Sequence, residues 1–218
     1  MRYKGIIFDL DGVLVSTDGC HYEAWKKLAN EENIYFDRTI NERMRGVSRM
    51  ESLDIVLEKA DKSYTQEEKV AMAERKNQYY IEKVKEITPK AILPGVENFI
   101  SQVKAVDIKI AVGSSSKNTK LILKQVGFSE MFDAVADGNE IMHSKPAPDV
   151  FLLAAEKLHL QPKDCLVVED AEAGVEAGLA AGMDVLAVGS AQAKEGAAYK
   201  AENLLEIAGE FVLKILSE

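Results

Sequence analysis

The apolar run of residues 5–8, Gly-Ile-Ile-Phe, ends in two acids and a glycine, Asp9-Leu10-Asp11-Gly12. A short unbroken run of β-branched and aromatic residues predicts a strand that is buried on both faces of a parallel sheet. Open parallel sheets bind their ligands at the carboxyl ends of such strands. Because side chains two residues apart in an extended chain share a side, Asp9 and Asp11 are expected to converge there. Two crowded carboxylates repel each other, which favours a divalent cation or a phosphoryl group nearby.

From residue 93 onward the sequence alternates short apolar runs with helical patterns. The predicted strands are residues 108–112, 134–136, 166–168 and 185–188. Gly127 and Gly182 are placed where predicted helices end. This alternation is typical of an α/β fold, a doubly wound parallel sheet with a Rossmann-like core, to which the first strand also belongs.

Residues 16–92 have a different character, since they lack strand-like runs and show helical periodicity. Thr17, Asp18 and Ser48 are candidate helix N-caps in this segment. We therefore predict that residues 1–15 and 93–218 form an α/β core domain and that residues 16–92 form an inserted α-helical cap domain. The apolar faces assigned to the cap helices are Tyr22-Trp25-Leu28-Ala29, Leu53-Val56-Leu57-Ala60 and Val70-Ala73-Asn77-Ile81-Val84.

Composition excludes several classes of protein. The net charge of -9 argues against non-specific nucleic-acid binding, which requires a basic surface. The chain has no run of about 18 apolar residues to span a bilayer, and its N-terminus does not resemble a signal peptide. Cys20 and Cys165 lie in unrelated contexts, which indicates reduced structural thiols. We therefore expect a cytoplasmic monomer whose partners are small molecules rather than nucleic acids or membranes.

The loops that follow the other predicted strands carry further reactive residues. After the second strand, residues 113–118 have the sequence Gly-Ser-Ser-Ser-Lys-Asn and lead into a helix whose N–H groups suit an oxyanion. An alternative is that these side chains only cap the helix. After the third strand, Pro146 and Pro148 stiffen the backbone around Lys145, which favours a positioned ammonium over an ordinary surface charge. Residues 169–170 form a second acidic pair after the fourth strand, although such acids can serve only as helix-dipole partners.

All of these loops are expected at one edge of the parallel sheet. Two acidic pairs there form a site of hard oxygen ligands, which suits Mg²⁺ better than zinc because no histidine and cysteine cluster accompanies them. The sequence contains neither a P-loop motif nor a GxGxxG motif, so ATP is not the expected phosphoryl donor. The ordered set of carboxylates, hydroxyls and one lysine predicts phosphoryl transfer.

These four loops, in this order, resemble the four motifs of the haloacid dehalogenase-like superfamily, and the resemblance covers the whole chain. It implies that Asp9 is the nucleophile that forms an aspartyl-phosphate and that Asp11 is the general acid and base. It also implies that Ser114 and Lys145 bind the reacting phosphate. The Mg²⁺ ligands implied by the resemblance are Asp9, Asp170 and the backbone carbonyl of Asp11, with Glu169 assisting.

Segments of the predicted cap, together with the loop after the second strand, resemble those of the β-phosphoglucomutases. This resemblance implies that Arg49 holds the substrate's non-reacting phosphate, that His21 forms a hydrogen bond near the acid/base, and that Lys76 contacts the sugar. The ordinary alternatives are an exposed helix-start charge for Arg49 and a helix-start histidine for His21. The segments that carry the resemblance are His21 followed by Ala24-Trp25-Lys26, Gly46-Val47-Ser48-Arg49, Arg75-Lys76-Asn77 and residues 114–118. The resemblance implies further substrate-binding residues, which are Gly46, Trp25, Ser115, Ser116, Lys117 and Asn118.

The resemblance predicts a Mg²⁺-dependent mutase that interconverts β-D-glucose 1-phosphate and D-glucose 6-phosphate through phospho-Asp9 and a glucose 1,6-bisphosphate intermediate. Such a mutase must hold a second, non-reacting phosphate, and Arg49 and Lys117 are the expected cations of that site. The alternative is a sugar-phosphate phosphatase of the same superfamily, in which water accepts the phosphoryl group. A non-catalytic binding module is a third interpretation, but it is expected to lack at least one core residue, and this chain has them all.

Overall fold

The computed structural model of the protein describes residues 2–44 and 47–207. The chain divides into two compact units, of which the first contains Met1–Ser16 and Thr88–Glu218 and the second contains Thr17–Ile87. The domain boundaries expected from the sequence, after residues 15 and 92, differ from these by one and five residues. Within the described part of the chain, no helix combines the length and the apolar character needed to cross a membrane.

A parallel sheet forms the centre of the first unit. Its strands are β1 (Gly5–Phe8), β2 (Lys109–Gly113), β3 (Ala134–Ala136), β4 (Cys165–Glu169), β5 (Asp184–Val188) and β6 (Tyr199–Ala201). The strand order is β3-β2-β1-β4-β5-β6, and every neighbouring pair is parallel. The predicted α/β class with a parallel sheet is therefore confirmed.

The register of the three central strands determines which loops come together. Phe8, the last residue of β1, is level with Val112 of β2 and Val168 of β4. Asp9 continues the pairing, since its backbone N–H donates to the carbonyl of Val168 at 2.9 Å. Ser114 follows β2 in the same way, with its N–H bonded to the carbonyl of Ala136 at 3.1 Å. The residues that follow β1, β2 and β4 therefore lie at one edge of the sheet.

Four described helices accompany the sheet. They are α5 (Val96–Ala105), α6 (Thr119–Gln125), α7 (Asp149–Leu158) and α8 (Glu172–Ala180), and the second unit supplies α1 to α4 as given below. The predicted strands agree with β2 to β5 within one residue at each end. Strand β6 was missed, because Tyr199-Lys200-Ala201 is short, has an exposed lysine at its centre and offers no apolar run.

The second unit is helical, with α1 (Asp18–Glu31), α2 (Arg38–Glu42), α3 (Arg49–Leu57) and α4 (Gln66–Val84). Two of its helices begin with capping boxes. Ser48 and Glu51 exchange side-chain-to-backbone hydrogen bonds at the start of α3, and Thr65 and Glu68 do the same at the start of α4. Such pairs satisfy N–H groups that a helix start leaves without partners, so both starting points follow from local sequence.

The apolar face assigned to α4 was wrong at its first position. Val70 is exposed, whereas the buried residues of the helix are Met72, Ala73, Lys76, Tyr80 and Val84. The pattern was misjudged because lysine and tyrosine were treated as polar, although their long stems and rings can be buried while their polar ends find partners.

Candidate active site

Lys145 links two carboxylates at the carboxyl edge of the sheet. Its Nζ donates a hydrogen bond to Oδ1 of Asp9 and lies 2.5 Å from Oε1 of Glu169, the last residue of β4. The side chains of Lys145, Asp9 and Glu169 are only 8%, 12% and 1% exposed. The ammonium also lies 4.5 Å from the centre of the Phe151 ring. Lys145 is 136 positions from Asp9 and 24 from Glu169 in the sequence, and the fold brings its ammonium into contact with both carboxylates.

Glu169 connects this ion pair to the turn that follows β4. Its Oε2 accepts hydrogen bonds from the backbone N–H groups of Asp170 and Ala171, at 2.8 and 2.9 Å. Both carboxylate oxygens of Glu169 therefore have donors, one from Lys145 and the other from the main chain. This arrangement fixes the lysine and the Asp170 turn relative to each other.

The Asp9-to-Gly12 turn and the Asp170 turn approach each other closely at Gly12. Gly12 has φ +92°, and a Cβ atom there would overlap the carboxylate of Asp170. Its N–H donates to the carbonyl of Val15 at 2.8 Å, which closes the turn around the partly exposed Asp11. Only glycine combines this backbone conformation with room for the neighbouring carboxylate.

Three carboxylates crowd around one ammonium at this edge. Burial raises the pKa of Asp9 to about 7, with Lys145 opposing the rise and Glu169 adding to it. Burial, together with the charges of Glu169, Asp9 and Asp11, raises the pKa of Asp170 to about 8. Burial alone would lower the pKa of Lys145, but the charges of Asp9 and Glu169 outweigh it and raise that pKa. The lysine is therefore a permanent cation in a region with excess negative charge.

The acidic cluster has a composition that fits a hard divalent cation. One carboxylate oxygen from each of Asp9, Glu169 and Asp170 lies within 4.8 Å of the others. All of these donors are oxygen atoms, and together they carry more negative charge than one lysine can balance. Such a group of ligands suits Mg²⁺. The side chain of Asp11 is not part of this group. Its expected contribution through the backbone carbonyl stays a prediction, as do the other metal-ligand assignments.

The serine hydroxyls of the loop after β2 organise its main chain. Oγ of Ser114 accepts from the N–H of Ser116, and Oγ of Ser116 accepts from the N–H of Asn118, both at 3.2 Å. Oγ of Ser115 accepts from the N–H of Lys145 at 3.3 Å, so this loop is tied to the lysine loop. Asn118 precedes α6 without a side-chain capping bond. Simple helix capping therefore does not account for the serines.

Four predicted substrate residues belong to the second unit. Lys76, only 3% exposed, has its Nζ 2.9 Å from Nδ1 of His21, 4.6 Å from the centre of the Trp25 ring and 4.9 Å from that of Tyr80. Because an ammonium can only donate, Nδ1 of His21 accepts and the ring proton of the neutral imidazole is on Nε2. Arg49 is partly buried at the start of α3. Gly46, the other predicted cap residue, lies outside the described residues.

A family model described as haloacid dehalogenase-like hydrolase matches residues 3–182. The chain belongs to the haloacid dehalogenase-like hydrolases. Enzymes of this family generally use Mg²⁺, in keeping with the acidic cluster described above. The predicted family is therefore confirmed.

The relatives of this chain include both mutases and phosphatases. It is 42% identical over 196 residues to the β-phosphoglucomutase of Bacillus subtilis, covering 89% of this chain and 87% of that protein. The crystal structure of a β-phosphoglucomutase from Clostridium difficile has a TM-score of 0.87 at 39% identity, covering 99% of this chain and 100% of that one. The chain is also 32% identical over 191 residues to a fructose-1-phosphate phosphatase of Escherichia coli, with coverage of 86% and 97%.

Two residues that contact predicted site residues, Tyr80 and Phe151, were missed in the sequence analysis. Tyr80 packs on His21 with ring centres 4.1 Å apart, and its hydroxyl lies 2.9 Å from Oγ1 of Thr17. Its position four residues after Lys76, on the same helix face, was an available signal. Phe151 follows the Lys145 loop closely, but nothing in the sequence marks its ring as a neighbour of the ammonium.

We expect the stability of the protein to depend on pH through His21. Burial lowers the pKa of His21 well below its usual 6.5, and the charges of Lys76 and Arg49 lower it further. Below pH 6.5 the imidazole of His21 binds a proton in the unfolded chain but not in the folded protein. The free energy of unfolding should therefore decrease as the pH is lowered, by at most about 1.4 kcal/mol per pH unit. His21→Asn should remove that part of the slope between about pH 6.5 and 5. Urea unfolding at several pH values measures it, and equal slopes for both proteins would contradict the burial of a neutral His21.

Proposed function

We propose that the protein is a Mg²⁺-dependent mutase that interconverts β-D-glucose 1-phosphate and D-glucose 6-phosphate, acting as a monomer in the cytoplasm. The observation that carries the phosphoryl-transfer part is the Asp9 carboxylate held by Lys145 beside the serine loop at the sheet edge. The similarity to β-phosphoglucomutases at 42% and 39% identity supports the choice of a mutase.

In the proposed mechanism, Asp9 is the nucleophile. Its carboxylate forms a bond to phosphorus while the bond from phosphorus to the sugar oxygen breaks, which gives phospho-Asp9. Lys145 reduces the repulsion between the carboxylate and the phosphate oxygens. Asp11 gives a proton to the leaving sugar oxygen and takes one from the sugar hydroxyl that attacks next. Mg²⁺ bound by Asp9 and Asp170 would further offset the negative charge of the phosphoryl group.

A full cycle consumes phospho-Asp9 once and forms it again. The C6 hydroxyl of β-glucose 1-phosphate takes the phosphoryl group from phospho-Asp9, which gives the 1,6-bisphosphate and free Asp9. After the bisphosphate reverses its orientation, Asp9 takes the phosphoryl group from C1 and glucose 6-phosphate leaves. In both orientations one phosphate is not reacting, and we assign it to Arg49, Ser116, Lys117 and Asn118.

The second unit supplies the proposed sugar contacts. The Lys76 ammonium, the His21 imidazole and the Trp25 ring form one cluster in which a cation, a ring donor and an aromatic face are close together. An ammonium and a ring N–H can donate hydrogen bonds to hydroxyl groups, and an aromatic ring offers an apolar face. We propose that Lys76 and Trp25 contact the glucose and that His21 forms a hydrogen bond near the acid/base.

A sugar-phosphate phosphatase is the second candidate, favoured by the 32% identity to a fructose-1-phosphate phosphatase. Both reactions begin with transfer to Asp9, and they differ only in whether a sugar hydroxyl or water attacks phospho-Asp9. The core residues therefore serve either reaction equally well.

An assay of β-glucose 1-phosphate with Mg²⁺ and a trace of the 1,6-bisphosphate distinguishes the two candidates. A mutase should convert the substrate to glucose 6-phosphate, detected with a coupled dehydrogenase, while releasing little inorganic phosphate. α-Glucose 1-phosphate is the matched control substrate and should react poorly. Release of inorganic phosphate from the β anomer without glucose 6-phosphate would instead establish the phosphatase.

A further inference from the structure

The turn that follows β3 contacts the serine loop directly. The backbone N–H of Gly138 donates to the carbonyl of Ser116 at 3.1 Å, and Nδ2 of Asn139 donates to the carbonyl of Lys117 at 2.9 Å. Oγ1 of Thr119 donates to the same Ser116 carbonyl at 2.8 Å. Successive carbonyls of the serine loop are therefore held by donors from a neighbouring turn.

Asp137 fixes the orientation of the Asn139 amide. The side chain of Asp137 is 1% exposed, and its Oδ1 accepts from both the backbone N–H and Nδ2 of Asn139, at 2.9 and 3.0 Å. Nδ2 thus donates to two acceptors, Asp137 and the Lys117 carbonyl, which settles which end of the amide faces the loop. A buried carboxylate without such donors would be costly, so the turn and the amide orientation stabilise each other.

The two segments are in contact at the level of the main chain. A Cβ atom on Gly138 would overlap the carbonyl oxygen of Ser115 and would lie 3.1 Å from the backbone nitrogen of Lys117. Only a residue without a side chain permits this approach. The β3 turn therefore supports the serine loop from close range.

We propose that Asn139 is a positioning residue for the phosphate-binding loop, acting through the main chain of Lys117. Its side chain is too far along the chain from the loop to be a local cap. Within the described part of the chain, the Lys117 carbonyl is the one hydrogen-bond partner of this side chain outside its own turn. This inference rests on the proposed function, in which Ser116, Lys117 and Asn118 hold the non-reacting phosphate. Without the amide, the peptide group between Lys117 and Asn118 can rotate, and the phosphate ligands lose their alignment.

Asn139→Ala should raise the KM for the sugar phosphate about three- to tenfold, the effect expected from losing one hydrogen bond that orients a ligand group. The rate at which acetyl phosphate phosphorylates Asp9 should stay the same, because that small donor has no second phosphate. A general structural defect would instead lower the rate of phosphorylation by acetyl phosphate as well. Asn139→Asp keeps the shape of the side chain but lacks the Nδ2 donor, so its KM should also be higher than that of the wild type.

Two comparison variants make the test decisive. Asn98→Ala removes an exposed asparagine on α5 of the same unit and should leave the KM unchanged. Lys117→Ala tests the proposed function itself and should raise the KM more than Asn139→Ala does. If Lys117→Ala has no effect, the assignment of the second phosphate site is wrong. If Lys117→Ala raises the KM and Asn139→Ala does not, only the role of Asn139 is overturned.

Discussion

Asp9→Asn should abolish turnover, with a fall in kcat on the order of 10⁴-fold or more, as expected when a covalent nucleophile is removed. An amide has nearly the shape of the carboxylate but cannot form the acyl phosphate. The substitution leaves the buried position filled, so the protein should still fold. Incubation with acetyl phosphate and Mg²⁺, followed by mass spectrometry of the intact protein, should detect no phosphorylated product.

Asp11→Asn is the matched control for this experiment. Asp11 lies two residues further along the same turn but is not part of the Asp9, Glu169 and Asp170 cluster. Acetyl phosphate has a good leaving group, so phosphorylation of Asp9 should persist in this variant. Sugar turnover should fall by about 10² to 10⁴, the usual contribution of a general acid/base. Phosphorylation of the Asp9→Asn protein would show that another residue is the nucleophile.

The position of the site was predictable because it depends on topology. Parallel strands end at a common edge, so apolar runs that end in Asp9, Ser114 and Glu169 indicate where these residues meet. The central strands β1, β2 and β4 agreed with this expectation because they are buried on both faces and leave continuous apolar runs. Strand β6, which lies at the sheet edge and carries the exposed Lys200, has no such pattern.

The partners within the site could not be predicted from the sequence. Periodicity indicates which residues lie on one face, but it does not distinguish which of several carboxylates a lysine contacts. The placement of loops from different strands determines which groups meet. It brings Lys145 between Asp9 and Glu169, and it brings Asn139 to the carbonyl of Lys117. Likewise, the apolar face assigned to α4 left out Lys76, whose burial depends on the packing of Trp25, Tyr80 and His21 around its ammonium.

Lys145→Met should destabilise the protein strongly as well as inactivate it. Methionine retains most of the stem that packs near Phe151 but removes the ammonium from between Asp9 and Glu169. Removing one partner of a buried ion pair leaves uncompensated charge, which costs about 3–5 kcal/mol. Urea unfolding in the presence of a chelator measures this loss without interference from a bound cation.

An exposed ion pair of the same unit provides the control. Lys4 lies 3.0 Å from Asp164, and its side chain is 63% exposed. Solvent-exposed pairs contribute about 0–1 kcal/mol, so Lys4→Met should change the free energy of unfolding by no more than that. A similar loss for both variants would mean that Lys145 does not compensate buried carboxylates.

A second substitution separates charge from packing. If Lys145→Met loses stability because carboxylates are left unpaired, adding Glu169→Gln should recover part of the free energy of unfolding, since one buried charge is then removed. The amide oxygen of the glutamine can still accept hydrogen bonds from the N–H groups of Asp170 and Ala171. In the wild-type background the same Glu169→Gln change removes a partner of Lys145 and should destabilise. A change of sign between the two backgrounds is the signature of direct coupling between Lys145 and Glu169. Because Glu169 also connects the lysine to the Asp170 turn, this coupling is what holds Asp9, the proposed nucleophile, and the Asp170 turn, the proposed metal-binding turn, in one arrangement.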